Sequence, residues 1–261
     1  MSRSFQRGLR VFWVMLMVFL YAPLAVVVFF SFNSINSSAR FESFSLMWYE
    51  RLFANDAILS ALANTAVLAV VSTAIAVPLG ALMGYGLYRH RRRRLAWLIW
   101  LIYLPVVMPD VVFGISEMTF FVTLDRWFGI LRPGLGTMVI AHVTFQVPFV
   151  ALLVYARLLS LNAQLFEACA DLYAGPWQRA RFFIIPVLGP ALAASVLLAL
   201  TLSIDDFVIS FFTAGPDSTT LPIYIWSAIR KGVTPEVNAI ATLMIVSVFL
   251  FALLSLVLRR R

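Results

Sequence analysis

The chain is poor in the residues that most catalytic and metal sites require. Among its 261 residues are one cysteine (Cys169), one lysine (Lys231) and two histidines (His90 and His142). A single cysteine excludes an internal disulfide, and no Cys/His spacing resembles a zinc or haem site. Lys231 follows Arg230 rather than a glycine, so the chain lacks a phosphate-cradling ATP loop. We therefore predict no metal or other cofactor in this chain and no enzymatic activity, and we expect both histidines to be structural or interfacial rather than catalytic.

Apolar sequence, in contrast, is abundant. Hydrophobic residues make up 62% of the chain, charged residues only 12%, and the mean hydropathy is +0.93. These values lie outside the range of soluble domains. Stretches that can supply spans of about 20 residues lie at about 9–32, 57–88, 95–123, 135–158, 187–213 and 237–258. The sequence thus predicts an all-α integral membrane protein with six transmembrane helices in one domain, residues 1–261.

Basic residues flank alternate ends of these spans. They form four groups: Arg3, Arg7 and Arg10; Arg89 and Arg91 to Arg94; Arg157, Arg179 and Arg181; Arg259, Arg260 and Arg261. By the positive-inside rule, both termini are predicted to be cytoplasmic. The net charge of +8 then comes mostly from the arginines that set the membrane topology, and no nucleic acid is predicted as a partner. The arginine run after the second span could also contact anionic membrane lipid, although its role as a topological stop explains it alone.

The rest of the chain carries an excess of acids, which favours a cationic solute, although surface acids also serve solubility. Tyr103, Asp110 and Glu117 are spaced by seven residues, so on a straight helix they share one face at steps of about 10 Å. Two acids and an aromatic ring suit an elongated cation. We therefore predict that these residues line the solute pathway, unless a kink at Pro109 rotates Glu117 away.

The fifth span contains two adjacent aspartates, Asp205 and Asp206. Neighbouring helical residues point about 100° apart, so the two carboxylates should face different surfaces. Ser203 and Ser210 continue a polar stripe with Asp206, whereas Asp205 has only Thr201 as a polar helical neighbour. Asp206, with Ser210, is the predicted pathway residue, and Asp205 is expected to bond to Thr201 or to a partner subunit. Alternatively, both lie at the wet outer edge of the helix.

The inner connection at about 159–186 is patterned like a helix. An apolar stripe and an adjoining acidic face recur at helical spacing: Leu161, Leu165, Ala168 and Leu172, then Glu167 and Asp171. Gly175-Pro176 should end this helix, and a second amphipathic piece leads to Pro186. The pattern predicts a rigid elbow tied to two spans. It either docks to a cytosolic partner or serves as an elbow without one.

This elbow resembles the "EAA" loop of binding-protein-dependent ABC importer permeases, in which Glu-Ala-Ala precedes a glycine at the seventh position and a proline at the twentieth. The matching residues are Glu167, Ala168 and Pro186. Cys169 replaces the second alanine and Tyr173 replaces the glycine, while Gly175 offers another place for the turn. The resemblance implies that the ATPase contacts lie at Glu167, Ala168, Asp171, Tyr173 and Gly175.

Further motifs extend the resemblance over nearly the whole chain. "MPDVVFGIS", "AHVTFQVPFV", "TLSIDDFVISFFTAGP" and "TTLPIYIWSAIRKGVTPEVNAIATL" are similar to permease subunits of spermidine/putrescine importers. The resemblance implies a type I ABC importer fold with a cytoplasmic coupling helix between the fourth and fifth helices, located in the bacterial inner membrane. It also implies three kinds of partner: an ATPase dimer holding ATP and Mg, a second permease subunit, and a periplasmic substrate-binding protein. For the pair of permease subunits, the resemblance favours a heterodimer over a homodimer.

Two alternatives to a polyamine importer remain open at this point. One keeps the ABC importer but changes the solute to another amine, an amino acid or an organophosphonate. The other is a secondary transporter or channel that uses intramembrane acids as proton or cation sites. Dependence of transport on an ATPase and a binding protein separates these classes.

Overall fold

The computed structural model describes residues 3–37, 40–90, 97–171, 175–232 and 234–259. Regular structure in these ranges is helical, apart from an isolated β-bridge between Asn33 and Phe44. The helices are α1 (Arg3–Phe30), α2 (Met47–Phe53), α3 (Asp56–His90), α4 (Leu98–Val107), α5 (Asp110–Phe128), α6 (Leu135–Leu159), α7 (Ala163–Asp171), α8 (Pro176–Arg179), α9 (Ile185–Ile204), α10 (Val208–Thr213), α11 (Leu221–Lys231) and α12 (Pro235–Arg259). A π-helical turn, Ala180–Ile184, joins α8 to α9.

The chain divides into two compact units, Met1–Leu59 with Tyr224–Arg261, and Ser60–Ile223. In the first unit, α12 packs against α1 and α2. The connection from α1 to α2 is organised by the buried Asn33. Its side-chain amide donates to the carbonyl oxygens of Ser37 and Arg40, and its carbonyl accepts from the Glu42 N–H. These bonds satisfy backbone groups that a loop would otherwise leave unpaired.

The second unit is built around α6. One apolar cluster joins α6 to α5 and α10: Phe113, Phe121, Ala141, Phe145 and Ile209. A second joins α6 to α9: Val150, Val154, Leu158, Leu188 and Ala199. The α3 helix approaches α6 closely at two glycines. A Cβ on Gly80 would lie 2.6 Å from Val150 Cβ, and one on Gly84 would lie 2.5 Å from the Ala151 carbonyl oxygen. Small residues at one helical interface allow this close contact.

Four helices in the described residues are long and apolar enough to cross a membrane: Phe5–Phe30, Asp56–His90, Leu135–Leu159 and Trp177–Ile204. They coincide with the first, second, fourth and fifth predicted spans. A shorter apolar helix, Pro235–Val246, falls in the sixth. The third predicted span, 95–123, falls on a bent helix pair. The count of six spans therefore remains a prediction.

The third predicted span is not one straight helix. Its two pieces, Ile99–Val107 and Asp110–Phe128, meet at 105°. Met108 is extended with ψ of 136°, and Pro109 precedes the first residue of α5. Proline has no N–H to donate and disfavours helical conformation in the residue before it, so the helix ends here and restarts.

The fifth predicted span also differs from the expected 187–213. Its helix begins earlier, because α8, the π-helical turn and α9 form the continuous stretch Trp177–Ile204. It then breaks at residues 205–207 before α10. The second amphipathic piece of the predicted elbow is thus the N-terminal end of a long helix.

Candidate functional site

The break between α9 and α10 lies beside a buried polar cluster centred on His142 of α6. The side chain of His142 is 2% exposed and that of Asp206 is 9% exposed. His142 Nδ1 lies 2.8 Å from Ser203 Oγ, and His142 Nε2 lies 3.0 Å from Ser210 Oγ and 3.4 Å from Asp206 Oδ2. One imidazole thus contacts the end of α9, the break, and the start of α10.

The cluster continues from Ser203 to α3 and back to α6. Ser72 Oγ lies 3.5 Å from Ser203 Oγ. Gln146 Nε2 donates to Ser72 Oγ and to the Ala199 carbonyl oxygen, each at 3.1 Å. The side chains of Ser72 and Gln146 are buried. Because buried polar groups are costly unless bonded, a shared network fixes how these helices pack.

The donors of this network can be arranged in one direction. Gln146 donates to Ser72, the Ser72 hydroxyl points to Ser203, and the Ser203 hydroxyl then donates to His142 Nδ1. With Nδ1 accepting, a neutral imidazole carries its hydrogen on Nε2, which faces Ser210 and Asp206. The network therefore ends with a donor directed toward a carboxylate.

Asp206 also caps α10. Its Oδ1 accepts from the Ile209 N–H at 3.3 Å, and its Oδ2 accepts from the Ser210 N–H at 2.7 Å. These amides begin a helix and have no intrahelical acceptor, so the carboxylate supplies one. The expected stripe of Asp206 with Ser203 and Ser210 exists, but it faces His142 inside the unit.

Asp205 has the opposite environment. Its side chain is exposed, and its backbone N–H donates to the Thr201 carbonyl oxygen at 3.3 Å. The Thr201 hydroxyl donates instead to the carbonyl oxygen of Leu197 at 2.8 Å. Of the two aspartates, Asp205 is thus the exposed one.

The residues of the predicted third-span face are separated by the 105° bend. Tyr103, 41% exposed, lies on α4, so it does not share a helical face with Asp110 and Glu117 of α5. Asp110 is exposed at the first position of α5. Glu117, two turns further along, is half-buried and accepts from the Thr144 hydroxyl of α6 at 2.9 Å. The bend thus leaves a pair of acids on α5 and an aromatic ring elsewhere.

A row of hydroxyls occupies another face of α5. Ser116, Thr119 and Thr123 are exposed, and each donates to the carbonyl oxygen four residues earlier, at 2.7 to 2.8 Å. These hydroxyls are satisfied within the helix, which lets them lie at membrane depth without a partner helix.

The predicted elbow is present in part as α7, between α6 and α9. Phe166 anchors it, with ring centroids 5.3 Å from Tyr88 and 5.2 Å from Phe183. Glu167 and Ala168 are exposed, so they are available to a partner. The expected contact residue Tyr173 lies outside the described residues, as does the side chain of Asp171. Gly175 is described, and its N–H donates to Gln178 Oε1 at 2.9 Å at the start of α8.

Sequence reasoning missed His142, Gln146 and Ser72 as members of the site. The available signal was two polar residues four apart, His142 and Gln146, on the largely apolar α6. That spacing places both on one face of a helix. It does not indicate which helices lie opposite, because Ser72 and Ser203 are distant in sequence.

Comparison with known proteins identifies the family. A family model described as "Binding-protein-dependent transport system inner membrane component" matches residues 76–261. The chain belongs to this family. It is 35% identical over 235 residues to the spermidine/putrescine transport system permease protein PotC of Escherichia coli (strain K12), covering 90% of this chain and 87% of PotC. It is 34% identical over 261 residues to PotC of Haemophilus influenzae, covering 100% and 99% of the two chains.

A third relative has a related name. The putrescine transport system permease protein PotI of Escherichia coli (strain K12) is 38% identical over 229 residues, which cover 87% of this chain and 82% of PotI. Family membership confirms the resemblance stated from the sequence. The chain is a non-catalytic membrane component of an ABC importer, which decides against a secondary transporter or channel.

Two solved structures share the fold. One is a crystal structure of a bacterial ABC transporter involved in the import of the acidic polysaccharide alginate, with TM-score 0.72, 17% identity, and coverage of 96% of this chain and 95% of that chain. The other is a bacterial alginate ABC transporter in complex with an alginate pentasaccharide-bound periplasmic protein, with TM-score 0.74, 16% identity, and coverage of 95% and 92%. The all-helical ABC permease fold expected from the sequence is confirmed.

Proposed function

We propose that this permease subunit carries polyamines, putrescine or spermidine, inward across the bacterial inner membrane. The observation that carries the proposal is identity of 34–38% over most of the chain to permeases named for these solutes. The exposed carboxylates support it, because an acid at membrane depth is expensive unless it serves a function. All of residues 1–261, with six spans, act as one permease domain in this proposal.

The proposed solute contacts are Asp205 and Asp110, whose side chains are exposed, with Glu117 and Tyr103 contributing further charge and an aromatic face. Asp206 and Ser210 belong to the pathway as its inner support, since the network of His142 occupies them. A protonated amine pairs with carboxylates and with aromatic rings. Another amine, an amino acid or an organophosphonate is the alternative solute.

In this proposal, transport is driven by ATP hydrolysis on a separate ATPase dimer, which holds ATP and Mg. It docks at the coupling surface, which comprises α7 and its flank with Glu167, Ala168, Asp171, Tyr173 and Gly175. The exposure of Glu167 and Ala168 supports this placement, as does the aromatic anchor of Phe166, because motion at the surface needs a rigid link to the spans. A second permease subunit, different in sequence from this chain, and a periplasmic binding protein complete the importer.

Uptake by the full complex tests this proposal. Vesicles that contain this chain, the second permease and the ATPase, supplied with the binding protein and ATP, should accumulate labelled putrescine or spermidine. Omission of the ATPase or the binding protein should abolish accumulation. ATP-dependent uptake of a labelled amino acid, organophosphonate or other amine, with no uptake of either polyamine, would reassign the solute while keeping the importer.

A further inference from the structure

The histidine at the centre of the polar cluster links the two halves of the broken helix. His142 is buried on α6, and its two ring nitrogens contact Ser203 at the end of α9 and Ser210 at the start of α10. Asp206, between them, lies 3.4 Å from Nε2. Asp205, the next residue along, is exposed. Asp205 is thus bonded to α9 through its own N–H and linked to His142 through its neighbour Asp206.

Other contacts hold α10 but do not act on the break. A Cβ at Gly114 of α5 would lie 2.9 Å from Phe212 Cδ2, so α5 and α10 pack closely. The Thr137 hydroxyl of α6 donates to the Thr213 carbonyl oxygen at 3.1 Å, at the far end of α10. With α10 fixed at these points and α9 fixed against α6, the break at residues 205–207 is held by the Asp205 N–H, which donates to the Thr201 carbonyl oxygen, and by the Asp206 carboxylate, which bonds the first amides of α10 and contacts His142.

We propose that His142 is a positioning residue for transport: by holding Asp206 inward against α6, it fixes the helix break so that Asp205 presents its carboxylate to the solute. This assignment rests on the proposed function for the identity of the solute that meets Asp205. The two aspartates then have different roles: the Asp206 carboxylate is bound inside the protein, and the Asp205 carboxylate is directed outward. His142 itself does not touch the solute.

Two readouts in the assembled importer test this role. In the first, uptake of labelled putrescine and spermidine is compared for His142→Ala, His142→Gln and the matched control His90→Ala, which alters the chain's other histidine at the end of α3. His142→Ala should raise the half-saturating solute concentration about tenfold, the ratio given by loss of a hydrogen bond to a charged group. Glutamine offers an amide donor and acceptor of similar reach, so His142→Gln should recover most of the affinity, and His90→Ala should match the parent.

Combination with Asp205→Asn decides whether His142 acts through Asp205. If it does, the double variant His142→Ala/Asp205→Asn should transport no worse than Asp205→Asn alone, because the group being positioned is already lost. Independent, multiplicative losses would overturn the proposal. A loss of assembled complex with an unchanged half-saturating concentration would also overturn it, since that result describes a purely structural residue.

The second readout needs no solute. In a Cys169→Ala background of the complex, Asp205→Cys provides a single thiol at the break, and a water-soluble maleimide reports its exposure. His142→Ala should change the labelling rate about fivefold or more, and His90→Ala should leave it unchanged. Ser203→Ala, which removes one contact of the ring, should also change the labelling rate, and it replaces His142→Ala in this test if that variant fails to assemble. Unchanged labelling in these variants would overturn the role of His142, whereas absence of polyamine uptake in the parent would overturn only the proposed function.

Discussion

At the residue scale, adjacent aspartates in a membrane segment have opposite environments. A carboxylate near the centre of a membrane helix costs about 2.5–3.5 kcal/mol on insertion scales. Asp206 offsets this cost with two backbone N–H donors and the nearby imidazole of His142. Asp205 is exposed, so the protein itself supplies less compensation for its charge.

Neutralising each aspartate separately should have different effects. Asp206→Asn replaces an acceptor of two backbone amides, so it should lower the free energy of unfolding by about 1–3 kcal/mol. Asp205→Asn should leave stability nearly unchanged and reduce uptake of the cationic solute. Thermal unfolding of the purified complex and uptake by vesicles measure the two quantities. Equal stability and equal uptake for both variants would contradict this division.

Periodicity alone predicted part of this site. The sequence places Ser203, Asp206 and Ser210 on one helical face; in the structure the helix breaks at residues 205–207, and the three side chains come together around His142 instead. Which surface it opposes could not be predicted, because the partner His142 lies more than 60 residues away and its pairing depends on tertiary packing. The sequence therefore assigned Asp206 to the solute pathway without reference to His142, and that assignment stays a prediction.

At the scale of elements, the two helix breaks differ in how well the sequence predicts them. The bend between α4 and α5 falls at Pro109, a residue with a known effect on helices. The break at residues 205–207 contains neither proline nor glycine, and it depends on the Asp206 side chain replacing a backbone acceptor. A local propensity therefore indicated the first break, whereas the second required the three-dimensional contacts.

The contact between α3 and α6 should be sensitive at Gly84. A methyl group there would meet the Ala151 carbonyl oxygen at 2.5 Å, and a backbone atom cannot move away easily. Gly84→Ala should therefore cost about 1–3 kcal/mol of unfolding free energy, as overpacked cores do. The control is Gly86→Ala on the same helix, where no atom lies within 4 Å of the added Cβ. Denaturation of the two purified variants compares them, and equal losses would show that packing against α6 is not the cause.

The coupling surface should be sensitive to bulk and charge at Ala168. Ala168→Asp should uncouple transport, because a charged side chain would block a close apolar contact with the ATPase. Ala168→Ser, which stays small and neutral, should retain coupling. Solute-stimulated ATP hydrolysis by the reconstituted complex is the measurement. Full stimulation with normal assembly in Ala168→Asp would remove α7 from the coupling role.

At the scale of the whole molecule, charge distribution predicts orientation. The arginine groups at both ends of the chain and after the second span should keep these parts in the cytoplasm. A reporter fused after Arg261 that is active only in the cytoplasm should therefore be active, and a periplasm-dependent reporter at the same place should be silent. A reporter inserted between α1 and α2 should show the reverse. Opposite results at the two sites would invert the proposed topology.

The hydroxyl row of α5 has a chemical polarity that follows from its hydrogen bonds. The hydroxyls of Ser116, Thr119 and Thr123 each donate to a backbone carbonyl of the same helix. Outward, these side chains therefore offer oxygen lone pairs and no O–H. For any solute that passes this face, a protonated amine, which only donates, meets a row of acceptors, whereas a carboxylate, which only accepts, meets no donor in this arrangement of the hydroxyls. In this arrangement the face would favour a hydrogen-bond donor over an acceptor without carrying a charge of its own.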